Sequence, residues 1–155
     1  MRKNIGCVLI QAGDNQKDIL GLMNTIGNTD NINMSVFSLD YTVALETIKK
    51  YTVYPLYEAK YYHGNVFCWD LITTDLVVRF PNIKTIFYYL NELPWMKSTN
   101  TSYKIWNNIF NNNKVQVFTD KPEIKQILDL TWNKNCKLIN QVNPENLYEM
   151  LQQYE

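Results

Sequence analysis

Short apolar runs alternate with amphipathic stretches along the whole chain. The first run, residues 5–10, is continuous and ends at the polar and turn-forming residues 11–14. A run of this kind is typical of a strand that is buried on both faces of a sheet. Similar runs recur downstream, and each is separated from the next by a polar segment. They predict strands at residues 5–10, 34–39, 52–56, 66–69, 83–89, 115–119 and 136–139.

The segments between these runs predict helices, because their apolar residues are spaced three and four apart. Asp14 and Asn143 can cap a first helical turn, Gly27 can end a helix, and Pro81 stops one. Residues 57–63 are rich in tyrosine and are compatible with a loop or a short edge strand. The predicted helices span residues 14–26, 40–50, 70–79, 103–112, 121–132 and 144–153.

Strands that alternate with helices in this way indicate right-handed βαβ units and a parallel sheet. The length of 155 residues is that of one domain. We therefore predict a single α/β domain over residues 1–155. Its architecture should be a Rossmann-like, three-layer αβα arrangement with a mostly parallel sheet of about six strands.

Composition and charge narrow the possible partners. Fifteen basic and fifteen acidic residues cancel, and the longest basic run is Lys49-Lys50. Proteins that bind nucleic acid through its phosphates usually carry a basic stripe, so direct nucleic-acid binding is disfavoured. The excess of Asn, Lys, Ile and Tyr favours an A·T-rich genome, such as that of a low-G·C microbe or a virus.

The apolar runs and the cysteines predict where the protein is located, and the histidine content bears on metal binding. No run approaches the roughly 20 residues of a membrane span, and residues 5–10 are too few for the core of a signal peptide. Cys7, Cys68 and Cys136 lie far apart beside apolar runs and predict buried free thiols in a reducing compartment. We expect a cytoplasmic protein without membrane contact, in the host cytoplasm if it is viral. His63 is the single histidine, so no metal site is expected.

Candidate binding residues lie where predicted strands end, because open parallel sheets bind ligands beyond their carboxyl ends. Gly13 follows the first strand, but one glycine does not make a dinucleotide fingerprint, and no P-loop lysine follows. Gly13 serves a tight turn or, with the helix N-terminus, meets a phosphate or sugar hydroxyl. Asp40, Asp70 and Asp120 each follow a strand, where they can cap a helix or bind ligand hydroxyls.

A further carboxylate, Glu92, precedes Trp95 in the turn-rich stretch after the strand at residues 83–89. A carboxylate near an indole suits carbohydrate recognition, through hydroxyl hydrogen bonds and ring stacking. Glu92 could also act as a general base, or serve only as a helix cap or in loop packing. His63 could be a base in the same cleft or lie exposed on the tyrosine-rich segment.

Several segments resemble the glycosyltransferase-like proteins of T4-type marine bacteriophages, whose fold is the N-terminal half of a GT-B glycosyltransferase. The strongest of them is the strand end at Tyr88-Tyr89-Leu90-Asn91-Glu92-Leu93-Pro94-Trp95-Met96, where an acidic residue shortly precedes tryptophan. The resemblance extends over the whole chain as a series of short runs. The other similar segments are His63-Gly64-Asn65, the helix–strand–helix run from Tyr103 to Trp132, residues 127–134 and residues 142–147.

The resemblance implies transfer of a sugar from a nucleotide-sugar donor to a hydroxyl, without a metal. Under this hypothesis we expect Glu92 to be the catalytic base and Gly13, Asn91, Trp95 and Asp120 to be substrate-binding residues. The related proteins carry an Asp–Glu pair before the tryptophan, whereas this chain has Asn91 and Glu92. The 155 residues leave no room for a second, donor-gripping domain, so a homodimer or a separate partner is expected to supply it.

Two other functions fit the same predicted fold. One is a non-catalytic binding or assembly module that dimerises through its abundant aromatic residues. The other is a flavodoxin-like, nucleotide-binding domain.

Overall fold

The computed structural model describes residues 2–11, 16–40, 50–93 and 103–154. Within these ranges strands and helices alternate along the chain. The strands are β1 (Lys3–Gln11), β2 (Ile32–Asp40), β3 (Tyr51–Pro55), β4 (Gly64–Cys68), β5 (Ile83–Tyr89), β6 (Val115–Thr119) and β7 (Lys137–Leu138). The helices are α1 (Lys17–Gly27), α2 (Leu71–Val78), α3 (Tyr103–Phe110), α4 (Pro122–Trp132) and α5 (Pro144–Gln153).

The strands form one sheet in which every neighbouring pair is parallel, in the order β3-β2-β1-β4-β5-β6-β7. The predicted α/β class and parallel, Rossmann-like sheet are confirmed. Such folds have the strand order 3-2-1-4-5-6, and the two-residue strand β7 extends it by one. The flavodoxin-like alternative is wrong in topology, because that fold has the order 2-1-3-4-5.

Apolar side chains on the two faces of the sheet form two separate cores. Cys7, Phe67 and Phe87 point to the face that is covered by α1 and α5. Val8 and Tyr88, their chain neighbours, point to the face that is covered by α2, α3 and α4. The central strands are therefore buried on both sides, which explains their continuous apolar runs.

The segment after β3 corrects a prediction from the sequence. Residues 57–63 form neither a simple loop nor an edge strand, since Leu56–Tyr61 is a 3-10 helix. Leu56 and Ala59 are both buried, and their separation of three residues matches the period of such a helix. This short helix is the crossover between β3 and β4, and it leaves Tyr57 and Tyr61 exposed.

Most other predicted boundaries are confirmed to within a few residues, and β5, β6 and α5 match their predicted spans. Asn143 caps α5 by accepting a hydrogen bond from the backbone N–H of Asn146 at 2.8 Å. The helix α1 begins at Lys17, later than predicted, and Asp14 lies outside the described residues. The predicted helix at residues 40–50 also falls almost entirely outside them.

The three cysteines are buried and form no disulfide, as predicted. Burial raises the pKa of the Cys7 and Cys136 thiols to about 12, and it raises that of Cys68 as well. None of them is therefore suited to act as a thiolate nucleophile near neutral pH. In the part of the chain that the structure describes, no helix combines the length and apolar character needed to cross a membrane.

Candidate functional site

A cavity of about 300 Å³ opens at the carboxyl edge of the sheet. It lies close to the junction of β1 and β4, where the crossovers diverge because β2 lies beyond β1 and β5 lies beyond β4. Rossmann-like sheets bind their ligands in the crevice at such a switch in strand order. The cavity is lined by the first turns of α1, the ends of β4 and β5 and the loop before α5, through Asp18, Ile19, Leu22, Trp69, Tyr89, Asn91 and Val142.

Trp69, directly after β4, contributes an indole ring to the wall of the cavity. Its indole N–H donates a hydrogen bond to the Cys7 Sγ on the neighbouring strand β1, at 3.3 Å. Its ring stacks on Phe67 and meets Tyr89 edge-on, with centroids 6.2 Å and 5.5 Å apart. These contacts fix the plane of a half-buried indole against the cavity, so its surface is preorganised for a flat ligand.

Tyr89, the last residue of β5, is bonded to a carboxylate on the next strand's loop. Its hydroxyl donates to Asp120 Oδ1 at 3.0 Å. The sheet register brings the two together, because Tyr89 pairs with Phe118 and Asp120 follows two residues later. Burial, followed by the bond to Asp120 and its charge, raises the pKa of Tyr89 to about 12. Tyr89 therefore stays protonated at neutral pH and holds one carboxylate oxygen in place.

The structure separates the aspartates that were predicted as caps or ligand contacts. Asp70 is a helix cap, since its carboxylate accepts hydrogen bonds from the Thr73 backbone N–H at 2.8 Å and from the Thr73 hydroxyl at 2.9 Å. Asp120 does not cap, because Lys121 occupies the N-cap position of α4 and no side chain caps that helix. Asp40 ends β2, and the residues after it lie outside the described part of the chain.

The predicted substrate residues that the structure describes lie at this carboxyl edge. Asn91 lines the cavity, and its backbone oxygen accepts a hydrogen bond from Lys121 Nζ at 2.6 Å. Asp120 reaches the cavity through Tyr89. Glu92 is exposed and follows Asn91 in the same loop. Gly13 and Trp95 lie outside the described residues.

The suggestion that His63 acts as a base in this cleft is wrong. His63 precedes β4, so it lies at the amino edge of the sheet, opposite the cavity that contains Trp69 and Tyr89. It is exposed, and its Nδ1–H donates to the Tyr61 carbonyl at 2.9 Å.

Sequence reasoning missed several residues of this cavity. Trp69 stands at a predicted strand end, so the strand-end rule could have singled it out as it did Glu92. The pairing of Tyr89 with Asp120 and the position of Asp18 depend on strand order, which the sequence pattern does not give. Val142 precedes the helix cap Asn143 and has no chemical signal in the sequence.

The cavity combines an aromatic surface with carboxylate and amide groups. Such a surface can stack against the apolar face of a sugar or base, while Asp18 in the cavity wall can accept hydrogen bonds from hydroxyls. Asp120 contacts the cavity through its bond to Tyr89. The described residues contain no group of three or more His, Cys, Asp or Glu side chains that could hold a metal ion.

Comparisons of the chain with protein-family models, with curated proteins and with solved structures find no match.

Proposed function

We propose that this chain is a glycosyltransferase-like protein that binds a sugar at the carboxyl edge of its Rossmann-like sheet. The observation that carries the proposal is the aromatic pair Trp69 and Tyr89 beside Asp120, at a cavity near the switch in strand order. A fixed aromatic face next to a fixed carboxylate matches the two kinds of surface that a pyranose presents.

The carboxylates at this cavity favour a hydroxyl-bearing ligand over a phosphate, and the ammonium group of the nearby Lys121 is bonded to the Asn91 carbonyl. Asp18 lies in the first turn of α1 and in the cavity wall, where its charge offsets the positive end of the helix dipole. Asp120 adds a second carboxylate close by. Both repel an anion, whereas both can accept hydrogen bonds from neutral hydroxyls. We therefore assign this cavity to the acceptor sugar and assign the nucleotide of the donor to a partner domain or a second copy.

In the transfer reaction, Glu92 would take the proton of the acceptor hydroxyl. The hydroxyl oxygen then forms a bond to the anomeric carbon of the donor sugar. The bond from that carbon to the donor phosphate breaks, and the nucleoside diphosphate leaves with the electron pair. Asn91, Asp120, Gly13 and Trp95 are proposed to position the acceptor.

A thermal-shift panel with mono- and disaccharides and nucleotide sugars, followed by mass measurement of products, tests the proposal. A ligand at about 100 times its Kd stabilises a protein by about 2.7 kcal/mol. For a chain of this size that corresponds to a rise in Tm of about 5–10 °C. If no saccharide or nucleotide sugar raises Tm, the sugar-binding proposal fails.

Variants separate binding from catalysis. Tyr89→Phe removes a hydroxyl of the cavity wall, and Asp120→Asn removes the charge of the carboxylate that holds this hydroxyl, so each should weaken saccharide binding about ten-fold. Glu92→Gln should abolish transfer while leaving the thermal shift intact. Glu149→Gln, which changes an exposed carboxylate on α5, is the matched control and should change neither. Where the unmodified chain transfers a sugar, an equal rate of transfer by Glu92→Gln would reject Glu92 as the base.

Assembly through an aromatic surface is the second candidate function, and a specific observation favours it. The short 3-10 helix leaves Tyr54, Tyr57 and Tyr61 exposed at 40%, 64% and 62% on or beside the sheet edge formed by β3. Tyrosine is enriched in protein interfaces. Light scattering tests this candidate: a dimer that Tyr57→Ser and Tyr61→Ser together dissociate supports it, and a monomer at high concentration rejects it.

A further inference from the structure

A second and larger cavity, of about 470 Å³, lies at the amino edge of the sheet, at the opposite end of the strands from Trp69. Its size is within the range of small-molecule sites. Its lining contains four side chains that can carry positive charge, and the described lining contains no carboxylate side chain. These cationic side chains are Arg2, Lys3, His63 and Lys84.

Two other lysines at this edge, Lys114 and Lys134, have structural partners. Lys114 Nζ donates to the Phe80 backbone oxygen at 3.4 Å, just past the end of α2. Lys134 Nζ donates to the Asn112 backbone oxygen at 3.0 Å, just past α3. Cations near helix C-termini stabilise the exposed carbonyls and the helix dipole. These lysines are therefore explained by the fold alone.

Arg2 and Lys84 differ from those lysines. Neither makes a hydrogen bond or ion pair in the part of the chain that the structure describes, yet both line the same cavity. Unpaired cations that converge on one concave surface create a positive potential that attracts an anion.

The pairing of β4 with β5 is irregular at the cavity and changes the direction of the Lys84 side chain. Gly64 of β4 pairs with Ile83 of β5, but the next residue, Asn65, pairs with Thr85. Lys84 is thus an additional residue on β5, and Ile83 and Ile86 point into the same core although they are three residues apart. Bulges of this kind change the direction of a side chain and are frequent next to functional sites.

The neighbouring strand β4 also has an unusual backbone at this cavity. Gly64 has φ +156°, and a Cβ there would lie 2.5 Å from the Asn4 backbone oxygen. Only glycine allows this approach of β4 to β1, which places His63 against Asn4, whose side-chain amide donates to the His63 oxygen at 3.4 Å. Since His63 Nδ1–H donates to Tyr61, its Nε2 is left for a ligand.

We propose that the amino-edge cavity binds a phosphate group, either free or carried by a small molecule. The Arg2 guanidinium offers paired N–H donors that match phosphate oxygens, and Lys84 adds a point charge. Asn65 and Thr85 supply neutral hydrogen-bonding groups in the same lining. The site is independent of the proposed sugar site because the two lie at opposite edges of the sheet.

The test is a titration of the ¹⁵N-labelled protein in which amide chemical shifts are monitored by NMR. The titrants are inorganic phosphate, glucose 1-phosphate, AMP and sodium chloride, at matched ionic strength. Phosphate-containing ligands should give saturable shifts at Gly64, Asn65, Lys84 and Thr85, and chloride should not. Tighter binding of glucose 1-phosphate or AMP than of inorganic phosphate would identify a phosphorylated molecule as the ligand. Equal or tighter binding of inorganic phosphate would identify free phosphate.

Arg2→Gln and Lys84→Gln should each weaken this binding about ten-fold or more. Lys104→Gln, at an exposed lysine of α3, is the matched control and should change the affinity less than two-fold. Absence of saturable shifts, or equal weakening by Lys104→Gln and Lys84→Gln, would overturn the proposal. All of these side chains are exposed, so the variants should fold, and circular dichroism would verify that.

Discussion

Acidic residues predominate at the carboxyl edge of the sheet and basic residues at the amino edge, although the net charge of the chain is zero. In a parallel αβα fold the helices run antiparallel to the strands, so helix N-termini lie at the carboxyl edge and C-termini at the amino edge. Acidic residues favour the first position and basic residues the second. The carboxyl edge carries Asp18, Asp70, Glu92 and Asp120 with the cations Lys17 and Lys121, whereas the amino edge carries Arg2, Lys3, Lys84, Lys114 and Lys134 with the carboxylate Asp30.

Helix termini explain some of these charges and leave others that need a functional explanation. Asp70 caps the N-terminus of α2, and Lys114 donates a hydrogen bond to the Phe80 carbonyl just past the C-terminus of the same helix. The ends of α2 therefore explain both charges. Asp120 caps nothing and is bonded to Tyr89 at a cavity, and Lys84 sits on a bulge without a described partner. The charged residues that no helix terminus explains, such as Asp120 and Lys84, are therefore the candidates for a functional role.

The largest expected effect comes from Gly64 at the amino edge. Gly64→Ala should lower the free energy of unfolding by about 3 kcal/mol, because the new Cβ meets the Asn4 backbone oxygen in a strained conformation. Gly21→Ala is the matched control: nothing lies within 4 Å of the added Cβ, and alanine should stabilise α1 by about 0.5–1 kcal/mol. Urea denaturation measures both. Equal and small effects would contradict the close approach of β4 to β1.

The next effect distinguishes two carboxylates of the carboxyl edge. Asp70→Ala should destabilise the protein by about 2 kcal/mol, since it removes the cap and the bond to the Thr73 hydroxyl. Asp120→Ala should cost less than about 1 kcal/mol, because the half-buried Tyr89 hydroxyl can then bond to water. Denaturation midpoints with unchanged m-values would measure the difference. If Asp120→Ala destabilises more than Asp70→Ala, Asp120 has a structural role and is the weaker candidate for ligand binding.

A smaller effect is expected at alkaline pH. The pKa of Tyr89 is raised in the folded chain from about 10 to about 12, with burial as the largest cause. A raised pKa contributes stability that is complete below pH ~10 and is lost as pH rises toward ~12. Screening at this half-exposed site limits the contribution to about 1 kcal/mol.

Tyr89→Phe should therefore reduce the loss of stability between about pH 10 and 12. Tyr103→Phe, at a more exposed ring, should leave that loss unchanged. Absorbance titration of tyrosinate measures the same group directly. Burial also raises the pKa of Tyr62 and Tyr88, so these tyrosines titrate late as well. A late-titrating signal is therefore assigned to Tyr89 only if Tyr89→Phe removes it.

Local sequence patterns predicted most of the fold, because strands buried on both faces are continuous apolar runs. The strands β5 and β6 match their predicted spans for this reason. The 3-10 helix at Leu56–Tyr61 was missed, since six residues with mixed aromatic and charged side chains show no clear period. The bulge at Lys84 was also missed, because it depends on the pairing of β4 with β5.

The candidate site was predictable only where a single strand end defines it. The strand-end rule placed Asn91 and Asp120 at the correct edge. The contacts of Trp69 with Cys7 and of Tyr89 with Asp120 join neighbouring strands that are far apart in sequence. They depend on the strand order, and the same strands and helices could be arranged in many different orders.

Binding of a sugar at Trp69, on the carboxyl edge, should be visible in the NMR signal of the Trp69 indole N–H. This signal is one of four tryptophan indole signals and is assigned with Trp69→Phe. In an NMR titration with saccharides and nucleotide sugars, it should shift saturably while the Gly64 amide does not respond to neutral saccharides. The shift should weaken about ten-fold in Asp120→Asn. An indole signal that no saccharide or nucleotide sugar moves would contradict the account.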